Sequence, residues 1–239
     1  MTYLKKISIE QEIDWYLCRG ESRLLNSGLA DNSLLYKKQK FARLYREGDK
    51  ILKVCLVQSW PKDAIRKYTG KSQAERESAS AVLLADLGIN TPRTFFSAFS
   101  ISPWSCIESL HEMSFLERYE FLSNHISERD DSEKIIRLIA KDSAKMINNM
   151  IFLKDFGLGN VMYHPNGHIS WIDNDLKKFS KSSALTAFAI NLLRERVFNY
   201  TDETDTKAFW KILSEHCHIH NELLHEFLSY PAASRSLAG

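Results

Sequence analysis

The sequence is short of cysteine, of glycine and of long apolar runs, and each shortage excludes something. Its four cysteines, Cys18, Cys55, Cys106 and Cys217, form no Cys-x-x-Cys pair. That is too sparse for a disulfide scaffold and points to a reducing compartment. No apolar run approaches the length of a membrane span. The opening MTYLKKISIEQEIDWYL carries charges where a signal peptide needs an apolar stretch, so a cytoplasmic location is expected, compatible with peripheral contact at a membrane. A net charge of +2 gives no polyelectrolyte signal, and no nucleic-acid partner is expected. Internal repeats and low-complexity linkers are lacking too.

What is there is enough apolar material for one sizeable core or two small lobes, at 44% of 239 residues. Residues 1 to 30 have no readable pattern. Leu34 to Tyr36 reads as a short strand. FARLYREGDKILKVCLV then reads as a hairpin, with arms Phe41 to Arg46 and Lys50 to Val57 around Glu47-Gly48-Asp49. Pro61 to Lys71 reads as a basic loop. Ser72 followed by Glu75 is a capping box, and Gly88 is a helix stop, so a helix is expected from Ser72 to Leu87. TFFSAFSI and WSCIESL follow as strands.

After Leu110 the pattern turns helical. Ser114 and Glu117 form a second capping box, and DSEKIIRLIAKDSAKMINNM has helical apolar spacing. NVMYHPNGHISWID reads as two strands around Pro-Asn-Gly, and Ala184 to Tyr230 as mostly helix before a loose tail. The order predicts an α+β chain: a sheet lobe with one helix over residues 1–109, a helical lobe over 110–239, and a cleft between them.

FLKDFGLGN, residues 152–160, contains the letters Asp-Phe-Gly. If Asp155 were a magnesium-holding aspartate of that motif, a catalytic Asp and a second metal-binding Asn would have to lie just upstream. Asp142, Asn148 and Asn149 sit there, inside a periodic helix where their side chains cannot converge. Read instead as a catalytic-loop aspartate, Asp155 is followed five residues on by Asn160, and after a hairpin by Asp173. Asp-x-x-x-x-Asn, hairpin, acid is the phosphotransferase order. One carboxylate orients a hydroxyl and takes its proton, while an amide oxygen and a second carboxylate hold Mg²⁺ against nucleotide phosphates. Upstream, Lys53 lies on the hairpin's last strand. Glu77 on the following helix is its expected partner, because Glu75 is occupied by its capping box.

With these elements in order, the chain resembles the protein-kinase-like superfamily over about residues 33 to 200. SQAERESASAVLLADLGINTP is similar to the corresponding helix and strand entry of bacterial lipopolysaccharide-core kinases, which act on heptose or Kdo sugars. Ser72, Ala74, Arg76, Glu77 and Leu87 to Pro92 carry that likeness. The chain is also similar to small kinase-like proteins of the PhoP regulatory network. The resemblance implies a two-lobed fold, ATP and Mg²⁺ as cofactors, and an anionic glycolipid or sugar acceptor of the lipopolysaccharide core. It also implies work in the cytoplasm at the inner membrane, and a hinge near Glu108 that receives adenine. The alternatives are a protein substrate, phosphorylated on Ser, Thr or Tyr, and a pseudokinase acting as a binding module.

The chain departs from the kinase pattern in four places. Leu153-Lys154 stands for His-Arg before the catalytic aspartate, and Asn174-Asp175 for Phe-Gly after the metal aspartate. No glycine-rich phosphate loop is present, Gly28 being the one glycine near its place. No Ala-Pro-Glu closes an activation segment. Asp175 reads equally as a carboxylate supporting the site or as a helix cap. His216 and His220 are one helical turn apart, which suits zinc, but no second ligand cluster accompanies them and helix packing is the preferred reading. Lys62, Arg66, Lys67 and Lys71 read as a solvated face, with contact to nucleotide or glycolipid phosphates as the alternative.

Overall fold

The computed structural model describes residues 2–9, 12–26, 35–122, 126, 129–153, 157–178 and 203–218. The chain divides into two compact units, 1–118 with 172–175 and 119–171 with 176–239. The division therefore falls after Arg118 rather than after residue 109. Its cause is the strand through that position, which is paired on both sides as far as Ser114.

The first unit is an antiparallel sheet of seven strands. They are β1 (Thr2–Ile9), β2 (Glu12–Gly20), β3 (Leu35–Lys38), β4 (Ala42–Glu47), β5 (Lys50–Leu56), β6 (Thr94–Ser100) and β7 (Ile107–Ser114). Their spatial order is β1-β2-β6-β7-β5-β4-β3. The expected hairpin is β4 and β5, turning at Gly48, whose φ of +56° a side chain would oppose. One face of the sheet carries the apolar core: Ile9, Tyr16, Leu52, Val54, Phe96 and Leu110 among others, closed by Leu24 of the short α1 (Arg23–Asn26). Strand alternation sends Lys53 and His111, which pair in register, to the opposite face.

On that face lies α3 (Gln73–Asp86), preceded by α2 (Trp60–Tyr68). Ser72 caps α3 as its spacing predicts. Its Oγ accepts from the Glu75 N–H at 3.4 Å and donates to Glu75 Oε2 at 3.0 Å. Gly88, at φ +65°, ends the helix by donating to Ala85 O while Ile89 donates to Leu84 O, each at 2.9 Å.

Several expectations are corrected. The patternless N-terminus is the β1–β2 hairpin, which extends the sheet by pairing β2 with β6. The basic loop is largely helix α2, with Pro61 in its first turn. Trp104, Ser105 and Cys106 precede β7 instead of starting it. Ser114 caps no helix: it ends β7, donating its N–H to Arg93 O and accepting the Arg93 N–H at its Oγ.

The second unit is built on α4 (Ser132–Asn148), whose Ile135, Ile136, Ile139, Ala140 and Ile147 are buried, packed against α5 (Glu203–His216). Asn148 joins them, donating to His216 O and accepting from the His218 N–H, both at 2.8 Å. The expected small hairpin is β10 (Val161–His164) with β11 (His168–Trp171), flanked by β8 (Glu120–Phe121). β9 (Ile151–Leu153) pairs with β12 (Leu176–Lys178). Trp171 is fully buried and donates its Nε1–H to Asp142 Oδ2 at 3.0 Å. Helix α5 ends at His216, and His220 lies outside the described residues, as does most of the expected helical stretch from Ala184.

Candidate active site

Lys53 leaves the middle of β5 toward α3, where Glu77 has turned to the same face of the sheet. Both side chains are buried. Lys53 Nζ donates to Glu77 Oε1 at 2.9 Å and also to Asp173 Oδ1. Gln73 Nε2 donates to Glu77 Oε1 at 2.8 Å, and His111 Nδ1 lies 3.3 Å from Oε2. His111 Nε2 is in turn 2.9 Å from Thr94 Oγ1. The Glu77 carboxylate is thus held on three sides, and it holds Lys53.

The segment Ile172–Asp175 belongs to the first unit, and three consecutive side chains fasten it there. Asp173 reaches Lys53, Asn174 Nδ2 donates to Thr91 Oγ1 at 2.6 Å, and Asp175 pairs with Arg76 at 3.3 Å. The Arg76 pair gives Asp175 the role of an anchoring carboxylate. Asp173 adopts a left-handed backbone, φ 52°, a region in which aspartate is among the tolerated residues. Its side chain is half exposed.

Electrostatics follow from burial and these partners. Burial opposes the Lys53 ammonium, but Glu77 and then Asp173 outweigh it and hold its pKa above the ordinary lysine range. Burial likewise opposes the Glu77 carboxylate. Lys53, followed by His111, reverses this and holds Glu77 well below the usual carboxylate range. The pair is therefore ionised at neutral pH, with one oxygen-rich carboxylate, Asp173, on its open side. Such an arrangement presents a fixed cation to an anion and a hard oxygen donor to a divalent cation.

The remaining expected residues fall as follows. Glu108 sits inside β7, not at its exit. Its buried carboxylate accepts the Gln73 N–H at the start of α3, at 2.9 and 3.1 Å, and the Ser109 Oγ–H. The chain leaves the sheet only at Phe115, whose N–H donates to Asp49 O at 2.7 Å. Glu108 therefore holds the start of α3 from within the strand. Asn160 ends a 3-10 turn, Leu158–Asn160, in the second unit, donating its N–H to Gly157 O. Asp155 and Gly28 lie outside the described residues. His111 was not legible in the sequence as a site residue. A polar residue two positions after Ser109 on one face of a buried strand was its only signal.

No family model matches the sequence, and no curated protein matches it. Solved structures do. WaaP, in complex with acyl carrier protein, overlaps with a TM-score of 0.55 at 13% identity, over 88% of this chain and 91% of that one. WbdD overlaps at TM-scores of 0.47 and 0.48 with 14% identity, and this chain spans about half of its length. Of the two, WaaP is the likeness that speaks to the fold. The chain has an α+β, kinase-like fold similar to that of WaaP.

Proposed function

We propose that this chain is an ATP- and Mg²⁺-dependent phosphotransferase acting on a hydroxyl, and that its acceptor is a sugar of the lipopolysaccharide core. The observation that supports it best is the convergence of Lys53, Glu77 and Asp173. These residues are drawn from a strand, a helix and a segment 120 residues downstream of Lys53, and they meet in the chain order a kinase uses.

In this reading Lys53, kept charged and fixed by Glu77, binds the α- and β-phosphates. The turn between β3 and β4 carries Lys40, next to Lys38 at the end of β3, and offers cations to the phosphates where a kinase would use glycines. Asn160 and Asp173 would hold the metal; an amide oxygen and a carboxylate suit a hard cation. Bound there, Mg²⁺ neutralises charge on the transferred group. Asp155 orients the acceptor hydroxyl and takes its proton as the new O–P bond forms and the β–γ bridging bond of ATP breaks. Glu108 supports the start of α3, and adenine would be received by backbone groups after Ser114. The site of action would be the cytoplasmic face of the inner membrane, where ATP and the acceptor meet.

The test is transfer of radiolabelled γ-phosphate to purified lipopolysaccharide core and to whole-cell protein, with Asp155→Asn and Asp173→Ala beside the wild type. Label in the glycolipid, lost in both variants, is the expected result. Label in a protein band instead would replace the sugar by a protein acceptor. ATP binding without transfer to any hydroxyl would overturn the phosphotransferase reading and leave a binding module.

A further inference from the structure

Helix α2 is inverted. Over its nine residues, Trp60, Pro61, Ala64, Ile65 and Tyr68 fall on one arc, and Lys62, Asp63, Arg66 and Lys67 on the other. In a surface helix the apolar arc normally faces the core. Here the buried residues are Asp63 and Lys67, 4% and 1% exposed, whereas Ile65 is 65% and Tyr68 60% exposed. Each inward charge is satisfied. Asp63 Oδ2 accepts the N–H groups of Gln58 and Ser59 at 2.8 and 2.9 Å, capping the helix, and Lys67 Nζ donates to Ser102 O at 2.9 Å.

The outward arc continues onto the loop between β6 and β7. Trp104, 79% exposed, stacks on Trp60 with ring centroids 5.3 Å apart. Trp60 Nε1–H donates to Pro103 O at 2.5 Å and the Tyr68 hydroxyl to Ile101 O at 2.9 Å. The helix and loop are therefore one prefolded platform. The polar ends of Trp60 and Tyr68 are spent on backbone carbonyls, so their rings can enter an apolar medium without leaving a donor unpaired.

We propose that this face docks the protein onto an anionic lipid surface. Exposed apolar area of this kind marks a contact site, and its composition favours a bilayer interface. Tryptophan and tyrosine with an aliphatic residue form the apolar arc, and the exposed Lys62 and the following Lys71 flank it, while Arg66 is held by Asp63 at 3.2 Å. The acids nearby are turned to other work. Asp63 is buried, Glu12 accepts from Ser105 Oγ and Cys106 N, and Asp14 accepts from Ser100 Oγ. What faces outward around the rings is cationic, complementary to anionic headgroups. Because α2 is already folded, docking costs no helix formation.

The inference does not depend on phosphotransfer, and its test does not measure it. The purified full chain is floated with vesicles of phosphatidylcholine alone and of phosphatidylcholine with phosphatidylglycerol. The expected result is recovery with the anionic vesicles only, weakened by salt. Ile65→Ser with Trp104→Ser should reduce the partition about tenfold or more, equivalent to about 1.4 kcal/mol. Lys62→Glu with Lys71→Glu should reduce it while leaving the apolar arc intact. Circular dichroism and unfolding midpoints confirm that the exposed-site variants fold. Three results would overturn the proposal: no flotation with either vesicle, equal recovery with both, or concentration-dependent dimerisation abolished by Trp104→Ser, which would make the face an interface between copies.

Discussion

Lys53 and Glu77, 24 residues apart in sequence, meet as a buried ion pair with Nζ 2.9 Å from Oε1. Removing one member leaves the other charge desolvated, which costs far more than the pair is worth. Glu77→Ala should therefore destabilise the first unit by about 3 kcal/mol, the lower end of the range because Asp173 remains on Lys53. The double variant Lys53→Met, Glu77→Leu should cost less than Glu77→Ala alone. Urea unfolding checks both. If the proposed phosphotransfer holds, the double variant should be inactive in the transfer assay although folded, which separates the pair's structural role from its proposed role in the reaction.

The pH dependence has a defined sign. Glu77 is depressed below its ordinary 4.5, so its stabilisation is present above pH 4.5 and is lost as pH falls toward its folded value. Lys53 is raised above 10.5, so its contribution is full below that pH and is lost only above it. Between those limits the pair adds no slope. Glu108 does. Burial raises its pKa against the pull of Ser109 and Gln73, so its favourable contribution is present below pH 4.5 and is lost as pH rises through the folded value. Glu108→Gln should therefore gain stability relative to wild type as pH rises above 4.5, measured as urea midpoints along a pH series.

Ser72 is fully buried, and its hydroxyl both accepts the Glu75 N–H at the start of α3 and donates to the Glu75 carboxylate. Ser72→Ala should cost about 1 kcal/mol, and Ser72→Thr should restore most of it. Because Glu77 lies on the same helix, Ser72→Ala should also weaken the proposed binding of ATP, read by titration against the wild type.

In the second unit, Trp171→Phe removes the donor to Asp142 and part of a filled volume. A loss of about 2 kcal/mol is expected from the two effects together. Asp142→Asn, which keeps an acceptor for Nε1–H, should lose less. Thermal unfolding distinguishes the two.

The parts of the fold that were legible carried local chemistry. The β4–β5 hairpin announced itself through Gly48 between two apolar arms, and α3 through Ser72, Glu75 and Gly88. Lys53 and Glu77 were legible because each sits on one of these elements. What failed to show did so for identifiable reasons. In β1 and β2 the alternation is broken, with Lys5 at a position between Tyr3 and Ile7 on the inward side. Helix α2 has a helical period, but with its charges buried it reads as a polar loop. In β7, His111 and Glu112 look like the end of a strand. Glu77 and Thr94 satisfy the first, while Ser22 at 2.5 Å and the N–H of Leu24 satisfy the second, and those partners are distant in sequence. A polar residue whose partner arrives through tertiary folding has no local signature.

The seven-stranded sheet ends in β1 on one side and β3 on the other, and each outer strand carries adjacent lysines, Lys5-Lys6 and Lys37-Lys38. An open strand edge is a template for another chain's backbone, and lysine is a common guard against such pairing. A foreign strand laid along either border would have to dehydrate two ammonium groups to reach its hydrogen bonds. The borders thereby keep a sheet built almost wholly of neighbouring antiparallel pairs from growing into its own aggregate.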